Sequence, residues 1–290
     1  MKSFKYSLVL LLVSAIWGFS FVAQRTGMDY VGPYTFNGVR FFLGSLSLLP
    51  LYFLQKDRVR LKKAEFKKVS IAGLILGTAL FIAASLQQIG MQYTSAANGG
   101  FITSLYVVLV PIFYLFLKRK VGMHIWFGAV LAVVGLYFLS VQEGLSVNWG
   151  DSLVLMSAVF WAIHVMMIGY FAPKYSILLL SILQFTTTAI LSLGVAFVVE
   201  DVIWTQIVSG YIPIIYGGLF AVGIAYTLQV FAQKKVASEQ AAIILSFESA
   251  FAMLGGWLLL NEQHGWRSLM GAGLMMIGII ISQIKWRKQK

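Results

Sequence analysis

Three ionisable side chains interrupt long apolar stretches of this sequence, and they are the residues best suited to chemistry. Arg40, His164 and Glu248 each lie within a run of about 20 mostly hydrophobic residues. Because a charge in such a run is costly to bury, a functional role is the default expectation. Arg40 could bind a substrate carboxylate, or its long stem could anchor it at an interface. Glu248 could act in a wet cavity, or it could make a structural hydrogen bond.

His164 and Glu248 lie at similar depths in their apolar runs. At a rise of 1.5 Å per residue, they are about 9 and 12 Å from the same membrane face. An imidazole beside a carboxylate can form a proton-sensitive pair, and this is the pairing that we hypothesise. The alternative is that a backbone carbonyl satisfies His164, since a single histidine is weak evidence of function.

Metal and cofactor chemistry is not indicated by the residue types. The sequence has no cysteine and only three histidines, which lie in separate segments. Neither a thiolate site nor a His/Glu ligand spacing results. No glycine-rich phosphate loop followed by Lys-Ser/Thr occurs either, so we expect no metal and no cofactor.

Further candidates for a substrate-binding cavity are aromatic or polar. Trp17 and Trp161 fall near the middle of their runs, whereas tryptophan in a membrane protein usually prefers the interface. They are therefore candidates for lining a cavity, with ordinary packing as the alternative. The remaining candidates are side chains on other runs, namely Asn98, Tyr106, Gln184, Tyr226 and Gln229.

The runs that carry these residues are long enough to cross a membrane. Hydrophobic residues make up 59% of the chain and charged residues 11%, whereas soluble proteins have about 25% charged residues. Since a spanning helix needs about 20 apolar residues, we predict an all-α integral membrane protein with ten transmembrane helices. The predicted spans are Tyr6–Gln24, Tyr34–Leu54, Ser70–Gln92, Ala97–Leu117, Met123–Gln142, Gly150–Tyr170, Ser176–Val199, Ile207–Gln229, Gln240–Leu260 and Trp266–Ile284. The first run could also be a signal peptide, but it is too long and carries bulky residues where cleavage requires small ones.

Basic residues give the predicted orientation. Of the 22 lysines and arginines, 19 fall in segments on one side, Arg25 and Arg267 lie on the other, and Arg40 is within a span. The positive-inside rule then predicts a multi-pass protein of the cytoplasmic membrane with both termini cytoplasmic. Basic loops that face the anionic inner leaflet account for the net charge of +12, so we expect no nucleic-acid partner.

Two sequence matches indicate an internal repeat. The glycine-containing stretch 128–135 recurs at 271–278, and both stretches lie in the last span of their half. Ser14–Gly18 recurs as Ser157–Ala162 with one residue of slack, and both stretches lie in the first span of their half. The offset is near 143 residues in each case, which predicts one repeat unit for each half of the chain.

The predicted halves are residues 1–142 and 143–290, with five spans in each. Because five is an odd number, the second half must be inverted relative to the first. Transporters often use inverted repeats of this kind, and their substrate sites lie near the midplane between the repeats. The predicted fold is therefore two inverted five-helix repeats.

Several motifs occur in an order that resembles a known family. They are Ser14–Phe21, Arg40 followed by an apolar run, Tyr93–Ala97, Pro111, and Leu258–Glu262 ahead of a glycine-rich last span. Together they cover essentially the whole chain and resemble an EamA-type member of the drug/metabolite transporter superfamily. The sequence departs from the frequent Glu-Pro of that family at Glu248–Ser249 and at Val110–Pro111. The resemblance implies ten helices around a central cavity, and export or exchange of small metabolites, often amino acids.

The expected function is secondary transport rather than catalysis. The expected substrate is a small metabolite, an amino acid or a related compound, which is exported or exchanged by alternating access. A membrane-embedded enzyme acting on a lipid-linked substrate is the alternative, and a channel is a third class. Proton coupling is a further hypothesis. The protein would work in the lipid bilayer as a monomer or a homodimer.

Overall fold

The computed structural model describes residues 2–54, 63–140, 149–263 and 265–283. Within these ranges the chain forms α-helices, one π-helical segment and short connections, and it contains no strand there. Helices follow the apolar runs because a backbone in hydrocarbon must satisfy its N–H and C=O groups within its own segment.

The helices follow one another with short connections. In chain order they are α1 (Lys2–Gly27), α2 (Pro33–Leu54), α3 (Lys63–Gly90), α4 (Ala96–Ser104), α5 (Tyr106–Phe116), α6 (Met123–Ser140), α7 (Trp149–Phe171), α8 (Ile177–Val199), α9 (Trp204–Ser209), α10 (Tyr211–Ile215), α11 (Thr227–Gln233), α12 (Ser238–Leu245), α13 (Glu248–Leu260) and α14 (Trp266–Gln283). The π-helical segment, Tyr216–Tyr226, joins α10 to α11.

Eight helical stretches among the described residues are long and apolar enough to cross a membrane. They are Phe4–Gly27, Pro33–Leu54, Lys63–Gly90, Ala96–Phe116, Trp149–Phe171, Ile177–Val199, Tyr211–Gln233 and Ser238–Leu260. The predicted fifth and tenth spans correspond to shorter apolar helices, Met123–Phe138 and Leu269–Ser282, and their predicted ends fall outside the described residues. The all-helical integral membrane fold is thus confirmed, whereas ten crossings and the inversion of the halves stay predictions.

Helices of the two predicted halves interleave. α2 packs along α8, α6 packs along α14, and α3 packs against both α7 and α8. α1 packs against α13, while α7 packs against α4 and α5. The first two pairs join helices at corresponding positions of the halves, and the last two contacts correspond to each other. A twofold relation between the halves would produce this pairing.

Glycines bring α6 and α14 into close contact. A Cβ added at Gly128 would lie 2.8 Å from the carbonyl oxygen of Gly278, and one at Gly278 would lie 2.7 Å from that of Gly128. Gly135 faces Gly271 in the same way, at 2.5 Å. These are the glycines of the sequence repeat. They let the two backbones approach directly, which is how small residues favour helix association in membranes.

Two of the spans are interrupted near their middle. α4 ends at Ser104 and α5 begins at Tyr106, while α12 ends at Leu245 and α13 begins at Glu248. The interruptions face each other, since the Ser104 hydroxyl donates a hydrogen bond of 3.0 Å to the carbonyl oxygen of Ser246. Tyr106 and Glu248 therefore start two helix segments at one place inside the bundle. Membrane proteins tolerate such interruptions where they are buried in protein or line a cavity.

Residues near each interruption weaken the local helix. Pro111 in α5 offers no N–H to the carbonyl four residues before it, which weakens the preceding turn. At the second interruption, the hydroxyls of Ser246 and Ser249 each donate a 2.9 Å hydrogen bond to the carbonyl three residues earlier. Bonds of this type bend helices.

The glycine contact between α6 and α14 can be tested by adding side-chain volume. Gly278→Val would force the two backbones apart, and overpacking of this kind costs about 1–3 kcal/mol. We expect thermal unfolding of the detergent-solubilised protein several degrees lower than for the unsubstituted chain. Gly273→Val in the same helix is the matched control, because a Cβ there meets nothing within 4 Å. Equal midpoints for both variants would contradict the contact.

Candidate functional site

An aromatic cluster around Tyr226 occupies the middle of the bundle, where α1, α2, α7, α8 and the π-helical segment meet. The ring centroids of Trp17 and Trp161 lie 4.6 and 6.1 Å from that of Tyr226, and the Trp161 ring is stacked on it. Phe41 and Phe185 lie at 6.1 and 5.9 Å. We call these five residues the aromatic centre. Ring pairs at such separations attract each other beyond their area burial.

A small central cavity adjoins the aromatic centre. Its volume is about 30 Å³, which holds roughly two water molecules. It is lined by Trp17, Ser20, Phe21, Gln24, Arg40, Gln87, Thr103, Trp161, Ala221, Tyr226 and Glu248. Five of the residues proposed from sequence thus line one cavity: Trp17, Arg40, Trp161, Tyr226 and Glu248. The side chains close tightly around this space.

Arg40 reaches the cavity from α2 and is only 3% exposed. Its Nε donates a 3.0 Å hydrogen bond to Oδ1 of Asn37, whose Nδ2 donates to the carbonyl oxygen of Ala84 at 3.0 Å. The guanidinium carbon also lies 5.3 Å from the ring centroid of Phe36 and 5.1 Å from that of Phe41. These contacts fix the inner edge of the guanidinium. Its terminal amino groups are left without a carboxylate partner among the described residues.

Glu248 reaches the same cavity from the first turn of α13 and is 3% exposed. The hydroxyl of Tyr106, at the start of α5, lies near its carboxylate, but this hydroxyl makes no hydrogen bond. The carboxylate oxygen Oε1 has no donor. Glu248 and Arg40 form no ion pair with each other. A buried carboxylate oxygen without a donor is costly, so a cationic or proton-donating group beside Glu248 would stabilise it.

His164 does not pair with Glu248, in contrast to our expectation from their depths. It is fully buried, and its Nε2 lies 3.1 Å from Oε1 of Gln184 on α8. Its ring contacts those of Trp161 and Tyr226 edge-on, at 6.0 and 6.1 Å. The aromatic centre therefore lies beside His164, and the histidine does not line the central cavity. The predicted depths of His164 and Glu248 agree because each lies a similar distance along its helix. Their side chains nevertheless point to different places, one toward Gln184 and the other into the cavity.

The sequence-predicted glutamines lie around the aromatic centre rather than in the cavity. Gln184 uses Oε1 for His164, and its Nε2 has no partner. Gln229 is fully buried on α11, one turn after Tyr226, and neither its Oε1 nor its Nε2 has a partner. Such orphaned amides are uncommon in protein interiors and indicate a site that water or a rearranged side chain would satisfy.

A glutamine that sequence reasoning missed connects the cavity walls. Gln87 on α3 accepts hydrogen bonds from Nε1 of Trp161 at 2.7 Å and from the hydroxyl of Thr103 at 3.3 Å. Its Nε2 donates to Oε1 of Gln24 on α1 at 2.7 Å. The repeat offset could have identified Gln87, because it lies 142 residues before Gln229.

Asn98 lies in a second, larger space. We call it the outer vestibule, after the side that the basic residues predict to be outer. It has a volume of about 630 Å³ and is separate from the central cavity. It is lined by Arg25, Thr26, Asp29, Gln92, Tyr93, Thr94, Ser95, Asn98, Leu260 and Glu262. Our placement of Asn98 with the central candidates does not match this geometry, because Asn98 is in the first turn of α4, close to the connection from α3.

Phe21 belongs to an apolar layer whose sequence neighbours, such as Gln92 and Asn98, line the vestibule. It lines the cavity and is only 2% exposed. Its ring packs against Gly99 and Gly100, where added Cβ atoms would lie 3.5 and 3.6 Å from ring carbons. Met91 and Ala252 complete this apolar layer, which we call the outer plug. A side chain at either glycine would collide with Met91 or Ala252, so the double glycine lets the plug close.

Comparisons with known proteins agree with this architecture. The fold matches one crystal structure with a TM-score of 0.77 over 96% of each chain, at 17% sequence identity. An uncharacterized transporter of Archaeoglobus fulgidus is 35% identical over 283 residues, which cover 95% of this chain and 85% of the relative. The uncharacterized transporter YoaV of Bacillus subtilis is 25% identical over 99% of both chains.

A family model covers nearly all of the chain. The model of the EamA-like transporter family matches twice, at residues 4–141 and 148–283. The family and the names of these relatives are those of transporters, which are not enzymes. The chain therefore belongs to the EamA-like transporter family, which confirms the resemblance that its motifs indicated.

Proposed function

We propose that the protein is a secondary transporter that exports or exchanges small metabolites, amino acids or related compounds, across the cytoplasmic membrane by alternating access. The observation that carries this proposal is the pair of opposite, mutually unpaired charges, Arg40 and Glu248, in one cavity beside the aromatic centre. Both termini would be cytoplasmic, as the basic segments predict.

The two charges suit a zwitterionic substrate. The terminal amino groups of Arg40 would receive a carboxylate, for which a guanidinium provides two parallel donors. Glu248 would receive the ammonium group, and the faces of Trp17, Trp161 and Tyr226 would add cation–π and apolar contact. The central cavity is closed around roughly two waters, so substrate entry requires the helices to separate first.

The orphaned oxygen of Glu248 supports exchange with protons. A desolvated carboxylate must be neutralised by some partner in every state of the cycle. In our proposal, the substrate ammonium and a proton alternate in this role, so one leaves as the other arrives. This would couple transport to the proton gradient without the ion pair to His164 that we first expected.

Alternating access is supported by unequal hydrogen bonds at two equivalent positions. Trp161 donates to the side chain of Gln87. Trp17, its counterpart in the other predicted half, instead donates a 3.1 Å bond to the carbonyl oxygen of Ala221 in the π-helical segment. Gln229, the counterpart of Gln87, is orphaned. In the opposite-facing state we propose that the pairs exchange roles, so that Trp17 bonds Gln229 and Trp161 releases Gln87.

The charge pair can be tested by counterflow in proteoliposomes loaded with amino acids. Arg40→Gln and Glu248→Gln each remove charge-assisted hydrogen bonding to the substrate, worth about 1.5–3 kcal/mol for a single bond. We expect the half-saturating substrate concentration to rise about 10- to 100-fold in each variant. Arg267→Gln, at an exposed position away from the cavity, should leave it unchanged. Linear, unsaturable flux in the unsubstituted protein would instead favour a channel.

Proton exchange predicts different behaviour for the two buried titratable residues. In Glu248→Gln, residual counterflow should become independent of pH, because the group that alternates between proton and ammonium is gone. In His164→Gln the pH profile should keep its shape, because His164 lies outside the central cavity. Counterflow is measured between pH 5.5 and 8.5, a range of about three units around neutrality. An unaltered profile in Glu248→Gln would rule out this role.

The outer plug predicts a gain of access when its ring is removed. Because the chain has no cysteine, Thr103→Cys gives a single reporter thiol in the cavity wall. In a Phe21→Ala background, a membrane-impermeant thiol reagent added outside should label this cysteine several-fold faster. Phe42→Ala is the control, since Phe42 is 53% exposed on the outer surface of the bundle. Equal labelling in both backgrounds would show that Phe21 does not seal the cavity.

A further inference from the structure

A wide apolar groove lies outside the central cavity, between α5 and α7. Its volume is about 790 Å³, and Ile75 of α3 contributes to its wall. The floor and sides are mostly hydrophobic, with Phe113 and Phe116 from α5, and Ile163 and Met166 from α7. Methionine is unbranched and adaptable, which suits contact with a flexible chain. The groove is on the surface of the bundle and plays no part in the transport site proposed above.

One end of the groove carries two cations. Arg119 lines it with its guanidinium carbon 5.4 Å from the ring centroid of Tyr114, and Lys174 lines it with Nζ 3.0 Å from that of Tyr170. Neither forms an ion pair with a carboxylate among the described residues. The two cations come from connections that are distant in sequence, after α5 and after α7. They meet at the helix ends that carry most of the lysines and arginines.

The turn after α5 positions the first of these cations. Lys118 has a left-handed backbone, with φ 55°, which ends the helix. The N–H of Lys118 donates to the carbonyl of Leu115 at 2.8 Å, and that of Arg119 donates to the carbonyl of Tyr114 at 2.9 Å. This is the bonding of a Schellman motif. It reverses the chain, so that Arg119 lies back over Tyr114 at the mouth of the groove.

We propose that this groove binds one anionic glycerophospholipid from the inner leaflet. Its phosphate would lie between Arg119 and Lys174, and one acyl chain would run along the apolar walls. Unpaired basic residues at the cytoplasmic ends of membrane helices attract anionic headgroups, at about 1 kcal/mol for each lysine or arginine. A zwitterionic choline lipid would place its own cation beside Arg119 and Lys174, so its headgroup would be attracted less strongly.

The lipid would touch the contact between the predicted halves at this end. A neighbouring space of about 240 Å³ shares Tyr114, Arg119 and Gly169 with the groove and extends to Ser238 and Glu239. There Gly169 of α7 lies against the Ser238 hydroxyl at the start of α12, and a Cβ at Gly169 would collide with that oxygen. A headgroup on Arg119 therefore lies next to the place where α7 and α12 must separate for the bundle to open inward.

The test compares two lipids with identical acyl chains on the full-length protein in detergent. Phosphatidylglycerol should raise the thermal unfolding midpoint by several degrees more than phosphatidylcholine does, and native mass spectrometry should retain one phosphatidylglycerol per chain. Arg119→Gln/Lys174→Gln should lose both effects, whereas Arg119→Lys/Lys174→Arg should keep them. Lys67→Gln/Lys68→Gln removes two exposed charges at the start of α3, outside the groove, and should behave like the unsubstituted protein.

Three results would overturn the proposal. Equal stabilisation by both lipids would show that the groove takes any lipid. Retained phosphatidylglycerol in Arg119→Gln/Lys174→Gln would place the anionic site elsewhere. The same stabilisation by inorganic phosphate alone would assign the cations to a soluble anion instead of a lipid. None of these measurements depends on transport, so their failure would leave the proposed function untouched.

Discussion

Arg40 and Glu248 line one cavity without forming an ion pair, and neighbouring groups hold each charge in its place. Opposite charges in a low-dielectric interior attract strongly. The side chain of Asn37 and two phenylalanine rings hold the guanidinium on α2, while Glu248 lies at the start of α13. Had the two closed into a salt bridge, their mutual pairing would compete with any zwitterion. The terminal amino groups of Arg40 are therefore left without a carboxylate, and Oε1 of Glu248 is left without a donor, among the described residues.

The aromatic centre fills the middle of the bundle beside the two charges. Trp17 and Trp161 come from different predicted halves, and both rest on Tyr226. The repeat offset relates Tyr226 to Ala83 and Ala84 on α3, which have small side chains. The first predicted half therefore has no ring that corresponds to Tyr226, and the two halves contribute unequally to the site. The central cavity lies beside the aromatic centre, and the outer plug packs against it through Phe21.

The cavity residues that could be identified from sequence are those whose side chains are unusual on a lipid-facing helix. Arg40, Glu248 and the midplane tryptophans stand out because hydrocarbon selects against charge and places tryptophan at the interface. Asn98 was grouped with the central candidates because it is polar, although it lies at the start of the predicted span Ala97–Leu117, where the structure places it in the vestibule. Sequence reasoning paired His164 with Glu248 from depth alone, although depth does not give the direction in which a side chain points. Gln87 was missed because its hydrogen bonds to other helices are not visible in its own run. Pro111 and the serines mark weak points of their helices, but the meeting of the interruptions at Leu105 and Ser246 depends on packing between spans.

The π-helical segment has a consequence for how the bundle can move. In Tyr216–Tyr226 the backbone bonds join residues five apart, whereas the flanking helices use four. Changing one register for the other keeps the segment helical while it rotates the adjoining residues by about 100° and shifts them by about 1.5 Å per residue of slip. Tyr226 is the last residue of that segment. The Tyr226 ring is thus attached to a stretch of backbone in which a change of hydrogen-bond register would rotate and shift the ring. The helices around it would not need to unfold.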